Sequence, residues 1–272
     1  MTLSAKRVLV TGMSFIIAAV VLFPFYIMIV MSTYSTTEIF RGLHLLPGSY
    51  LLQNVVTVFK GNFLLFYWNS LYVAALASLG AVIVSAMAGY AFSKFSFRGK
   101  DAIFKICLAT MMVPSQLGLI AFAWQINKMG MNNTHLPLII PAMASMFGVF
   151  FMSQYMKNGL PDEIIESARI DGCGEMAMFW RMVTPLVAPA SISLGLLFFL
   201  WSWNSYLVPL VVISRGQLYT VPLGIKALRL MYRVDYGGQI TGLSIGTLPI
   251  VILFLVFSKN FISGLTAAAI KG

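Results

Sequence analysis

No Asp, Glu, Lys or Arg occurs between Arg7 and Glu38, Lys60 and Lys94, Lys105 and Lys128, Lys128 and Lys157, Arg181 and Arg215, or Asp235 and Lys259. Each window exceeds the roughly 20 apolar residues that carry an α-helix across about 30 Å of hydrocarbon. In a bilayer core every backbone N–H and C=O must be satisfied within the protein, which favours helices. The windows predict six spans, at about 8–31, 69–92, 102–124, 136–156, 186–213 and 242–257. The basic start, Met1 to Arg7, runs straight into apolar sequence and reads as the head of an uncleaved first span.

The charge content agrees. Only 10% of the 272 residues are charged, where a soluble domain carries about a quarter. The expected fold class is an all-α integral membrane protein, one transmembrane domain over residues 1–272. A shorter window, 42–59, holds His44, Pro47, Gly48, Gln53 and Asn54 and reads as a loop with a short interfacial helix at 51–59. Ser78, Gly80, Ser85 and Gly89 give the second span a small face suited to close helix packing. The net charge of +10 does not signal nucleic acid, because the basic residues are scattered through short loops with no basic face. Cys107 and Cys173 have neither disulfide nor metal spacing.

Lys and Arg concentrate in cytoplasmic loops of membrane proteins. With the N-terminus inside, the inner segments hold Lys6, Arg7, Lys94, Arg98, Lys100, Lys105, Lys157, Arg169, Arg181, Lys259 and Lys271. The outer segments hold Arg41, Lys60, Lys128, Arg215, Lys226, Arg229 and Arg233. The bias, clearest from Lys94 to Lys105, places both termini in the cytoplasm.

One inner segment, 157–185, is too long for a turn. It carries Asp162, Glu163, Glu166, Asp171 and Glu175, five of the eight acidic residues. Pro161 suits a helix start, and Asp162 and Glu163 then lie at the positive end of its dipole. Glu166 and Arg169 have the spacing of a surface pair. Gly172 is a natural stop in left-handed geometry. A second amphipathic stretch, 175–183, ends at Pro185. At 100° per residue Ile164, Ser167, Ala168 and Asp171 share one face, a compact knob able to seat in a groove of another protein. The competing reading is a helix lying on the membrane, although such helices usually carry basic polar faces.

Glu166-Ser-Ala-Arg-Ile-Asp-Gly-Cys, followed by Phe179-Trp-Arg-Met-Val-Thr-Pro-Leu, resembles the EAA loop of binding-protein-dependent ATP-binding-cassette (ABC) permeases. Ser167 and Cys173 depart from the usual Ala, but both are small. Asn260-Phe-Ile-Ser-Gly-Leu-Thr-Ala-Ala-Ala-Ile-Lys-Gly and Trp201-Ser-Trp-Asn-Ser-Tyr-Leu-Val-Pro-Leu resemble the carbohydrate-uptake branch, the maltose-type second permease subunit in particular. The resemblance implies a permease subunit of a sugar importer in a bacterial or archaeal inner membrane. It also implies a cytoplasmic coupling-helix loop between spans four and five, docking into ATPase subunits through Glu163, Ile164, Glu166, Ser167, Ala168, Asp171, Gly172 and Cys173. The implied partners are a second permease forming a heterodimer, two copies of a nucleotide-binding ATPase, an extracytoplasmic sugar-binding protein and membrane lipid. ATP and Mg belong to the ATPase subunits, with no cofactor on this chain.

The chain has no glycine-rich phosphate loop. The charge-free windows offer none of the ionisable groups that ion-coupled transporters usually need, and His44 and His135 fall in outer loops. A secondary, ion-coupled transporter is the alternative reading, and a membrane-embedded enzyme a remote third. Candidate pathway residues are Asn69, Gln116, Gln154, Trp203 and Asn204. For each, an interhelical hydrogen bond or packing contact is the competing role.

Overall fold

The computed structural model describes residues 3–228 and 234–269, with side chains placed for Arg7, 9–228 and 234–258. Among these residues the chain is helical, with no strand. The side chains of the 260–272 tail motif lie outside the described residues.

Four helical stretches are long and apolar enough to cross a membrane. They are α1 (Leu3–Met31), α4 (Phe63–Lys94), the pair α7 (Leu136–Met143) and α8 (Met146–Gly159), and α15 (Tyr236–Ala269). Shorter helices connect them: α2 (Thr36–Ile39), α3 (Leu51–Lys60), α5 (Lys100–Thr110), α6 (Leu119–Lys128), α9 (Asp162–Ile170), α10 (Glu175–Met178), α11 (Thr184–Leu186), α12 (Ala188–Trp203), α13 (Leu207–Val212) and α14 (Val221–Ala227). The number of spans reaches six when each of two bent pairs, Lys100–Thr110 with Ser115–Lys128 and Glu175–Leu186 with Ala188–Trp203, makes one crossing.

Both bends add to the six expected spans a feature that the charge-free windows do not give. The third stretch folds by 81° because Pro114, extended at φ −60 and ψ 124, has no N–H and its ring collides with a helical carbonyl four residues back. The fifth stretch bends by 81° at Val187. Its first arm does not stop at Pro185 but passes through it, because residues Phe179–Val183 widen into a π turn. That turn accommodates the backbone bond Pro185 cannot donate. The expected fifth span also ends early, at Trp203 rather than 213. The chain leaves the helix at residues 204–206, and a helix continued there would bring Pro209 against Ser205. Conversely, α15 starts before residue 242 and runs past 257.

The chain divides into two compact units. The first comprises Met1–Leu64 and Gly224–Leu248. Here the carbonyls at the end of α1 would be orphans. Asn54, on α3, donates to the Ser32 and Tyr34 carbonyls at 2.8 and 2.9 Å, and the Thr241 hydroxyl donates to Ser32 at 3.1 Å. The expected short helix at 51–59 is thus present as α3.

The second unit comprises Leu65–Leu223 and Pro249–Gly272. Its core joins Tyr90 of α4, Met152 and Met156 of α8, Ile165 and Ala168 of α9, Met178 and Leu194, all nearly inaccessible. The small face of α4 does what its residues predict. A Cβ on Gly89 would stand 2.7 Å from the Met152 Cβ and 2.9 Å from the Ser153 backbone nitrogen, so only glycine admits α8 that closely.

Candidate functional site

The acidic loop is built on the end of α4 and the end of α8. Lys94, the last residue of α4, turns its ammonium to the Leu160 carbonyl and to Asp162, the first residue of α9. The hydrogen bond and charge of Lys94 hold the Asp162 carboxyl below the ordinary carboxylate range. Pro161 stands extended at the helix start, as its sequence position suggests.

The far end of α9 is a complete Schellman motif. The Cys173 N–H donates to the Ala168 carbonyl at 2.9 Å, and the Gly172 N–H to Arg169 at 3.0 Å. Gly172 sits at φ +77 with open space around it, so backbone conformation, not crowding, requires the glycine. Cys173 and Ala168 pack together against the core, which is the apolar contact this motif usually carries.

Arg169 pairs with Glu175 at 2.7 Å, not with Glu166 as the three-residue spacing suggested. That hydrogen bond raises the Arg169 pKa above its ordinary value. The other Glu175 oxygen accepts from the Tyr90 hydroxyl at 3.1 Å. Glu175 therefore links the two helices of the loop to α4.

The structure corrects the expected docking face. Ala168 is 5% exposed and belongs to the chain's own core beside Ile165. Ile164 and Cys173 are half-buried, while Glu163, Glu166, Ser167, Asp171 and Gly172 are exposed. The Schellman contact turns Ala168 inward, so the outward face centres on Glu163, Glu166, Ser167 and Ile170. Ile170, which the sequence reasoning missed, is 86% exposed. Its signal was its place on the ridge opposite Ala168.

The candidate pathway residues do not come together. Asn69 is buried, and its amide donates to the Gln217 and Tyr219 carbonyls at 2.8 and 3.0 Å, pinning the short turn that they flank. Trp203 is 2% exposed, stacked on Phe199 and edge-on to Tyr67. Asn204 is exposed but bonds back to Leu200 at 2.9 Å, closing the end of α12. Gln154 is half-buried on α8. Gln116 alone borders a pocket of about 1070 Å³, which lies between α4, the break before α6, α7 and the end of α12. His135 is likewise not a free loop residue. It is buried, hydrogen-bonds to the Tyr72 hydroxyl and contacts the Leu218 carbonyl at 2.7 Å.

The sequence profile described as "Binding-protein-dependent transport system inner membrane component" matches residues 81–266. The arabinooligosaccharides transport system permease protein AraQ of Halalkalibacterium halodurans is 34% identical, over 97% of this chain and 96% of that protein. The trehalose/maltose transport system permease protein MalG of Thermococcus litoralis is 32% identical over 98% of both chains. A chain of a bacterial ABC transporter involved in the import of the acidic polysaccharide alginate shares the fold, with a TM-score of 0.80 over 95% of this chain and 97% of that one, at 20% identity. A chain that keeps this helical architecture and this loop, and matches these permeases along nearly its whole length, belongs to the binding-protein-dependent transport system inner membrane components, the permease subunits of ABC importers.

Proposed function

We propose that this chain works as a single permease domain in an ATP-driven importer of neutral sugars or short oligosaccharides. It pairs with a different permease subunit, and each of the two docks one ATPase subunit. A binding protein outside the membrane delivers the cargo. The chain hydrolyses no ATP of its own, and ATP and Mg are held by the ATPase subunits.

The observation that carries this reading is the exposed ridge of α9. Glu163, Glu166, Ser167, Ile170, Asp171 and Gly172 face solvent on a helix that Lys94, Glu175 and Tyr90 tie to α4. An exposed isoleucine rimmed by carboxylates is a typical interface centre, an apolar anchor inside a polar rim. Ile164 and Cys173 flank the ridge, and Ala168 supports it from beneath. Movement of a docked ATPase would reach α4 through Glu175 and α12 through the arm that begins at Glu175.

The sugar assignment is supported by relatives whose names give arabinooligosaccharides and trehalose or maltose as cargo, and by windows free of charged residues. Cytoplasmic termini are supported by the basic segment from Lys94 to Lys105.

The deciding experiment is uptake in a strain deleted for this chain, with reconstitution alongside. Neutral sugar uptake should be lost on deletion. Purified chain alone should show no ATP hydrolysis, and import should need the second permease and the ATPase. Proton-driven transport by the chain alone would overturn the proposal.

A further inference from the structure

Pocket walls inside a membrane helix bundle are normally apolar or internally hydrogen-bonded. The walls at the break before α6 are not. Ser115 and Gln116 follow Pro114 directly. Ser202 and Ser205 approach the pocket from the end of α12, and Thr220 from the turn beyond α13. The side chains of Ser115, Gln116, Ser202 and Ser205 make no hydrogen bond to another described residue. Thr220 is 4% exposed, and its hydroxyl oxygen is buried without a partner among the described residues. Of these only Thr220 is a buried polar group without a partner, which calls for an explanation; Ser115 and Gln116 are exposed and Ser202 and Ser205 half-buried, so their polar atoms are open to a molecule entering the pocket.

The aromatic content of the same wall narrows the ligand. Trp201 is 52% exposed and is held by edge contacts with Phe147 and Phe198, at 5.2 and 5.5 Å between ring centroids. A fixed, accessible indole next to hydroxyls and an amide presents an apolar plate with hydrogen-bonding groups at its edge. That matches a pyranose or furanose ring, whose C–H face is apolar and whose rim is hydroxylated. An acyl chain would leave the Gln116 amide and the serines unsatisfied. Among the described residues no Asp, Glu, Lys, Arg or His borders the pocket, so a phosphate or carboxylate would enter without a counter-charge from them, which is costly. At about 1070 Å³ the space is at the upper end for small-molecule sites, enough for more than one ring.

We infer that this pocket is a saccharide subsite carried by this chain itself, taking an uncharged sugar ring on Trp201 with its hydroxyls toward Gln116, Ser202 and Ser205. The inference rests on the sugar-importer reading and goes beyond it by assigning direct cargo contact to this subunit.

The test uses the whole transporter in proteoliposomes. Import of radiolabelled maltotriose, arabinotriose and lactose selects the neutral probe, with a mannuronate trisaccharide as the anionic comparison. The imported neutral sugar is then made with a diazirine and photolabelled to the complex. The expected result is labelling of peptides from this chain that contain Gln116 or Trp201, competed by the unmodified sugar. Trp201→Leu and Gln116→Leu should each reduce that labelling at least tenfold, and Trp201→Phe less than threefold. Size-exclusion of each complex checks assembly. For any variant that does not assemble, the Ser202→Ala/Ser205→Ala pair replaces it, with the same tenfold loss expected. Labelling confined to the partner permease, or unchanged in the variants, overturns the subsite and leaves the importer reading standing. Import of the mannuronate trisaccharide with none of the neutral sugars overturns the importer reading.

Discussion

The ammonium of Lys94 reaches out of the protein to the carboxylate of Asp162: the lysine side chain is 5% exposed and the aspartate 74%. The last residue of a membrane helix thereby fixes the first residue of the acidic loop helix. Asp162 has a depressed carboxyl pKa, chiefly through the Lys94 hydrogen bond. A depressed carboxylate contributes stability that is present above its unfolded value, about 3.9, and is lost as pH falls through the lower folded value. Amide exchange across Asp162–Ile170 should therefore accelerate as pH is lowered through that acidic window, after correction for intrinsic rates. Asp162→Asn should flatten the dependence. Lys94→Met should loosen the segment already at neutral pH, because the Leu160 carbonyl also loses its donor. An unchanged pH profile in Asp162→Asn would refute the link.

Gly172 tests the turn. A β-branched side chain at φ +77 costs about 1–2 kcal/mol, without any clash to relieve. Gly172→Val should weaken ATPase docking by roughly tenfold, the equivalent of about 1.4 kcal/mol, while membrane insertion stays intact. Gly172→Asn should cost less, since asparagine tolerates left-handed geometry. Titration of the ATPase subunit onto nanodisc-held permease measures both. Equal affinity for Val, Asn and Gly would remove the turn from the docking surface.

Ile170 and Ala168 separate docking from folding. Ile170→Asp should abolish ATPase stimulation with little change in thermal stability, because the side chain touches solvent. Ala168→Leu should do the reverse. Overpacking a full core costs typically 1–3 kcal/mol, so the melting temperature should fall while residual folded protein still docks. Activity assays and thermal shift on the same samples distinguish the two.

Cys173 serves as a reporter. Its thiol is half-buried beside Ala168, so a membrane-impermeant maleimide should label it slowly in inside-out vesicles and not in right-side-out ones. Added ATPase subunits should slow labelling further. Equal rates with and without them would place docking elsewhere. Fusions after Gly272 reading inside, and after Arg233 reading outside, complete the topology check.

Helix existence was legible because charge-free windows are a direct consequence of hydrocarbon as solvent. The breaks were less so. Proline in a membrane helix can be satisfied by neighbours, so Pro114 alone does not announce an 81° fold, whereas Pro24 lies within an unbroken α1. Which side of α9 faces inward is not legible in the sequence, because Ile164 and Ile165 are equally good candidates for it. A stop at Gly172 carries with it an apolar contact between Ala168 and Cys173, and that inference would have turned the helix correctly. Asn69 could not be read as a structural staple, since its partners, Gln217 and Tyr219, lie about 150 positions away.

The elbow at Val187 has a mechanical consequence. The arm Glu175–Leu186 is about 18 Å long and the arm Ala188–Trp203 about 24 Å at 1.5 Å per residue, set at 81°. Val187 is 1% exposed and its N–H bonds to Val183 at 3.0 Å, so the corner is a braced pivot. Such a bell crank would convert a push on the short arm into a swing of the long arm in a different direction. Were the two arms to turn as one piece about Val187, the tip at Trp203 would travel farther than the end of the short arm, in the ratio of about four to three.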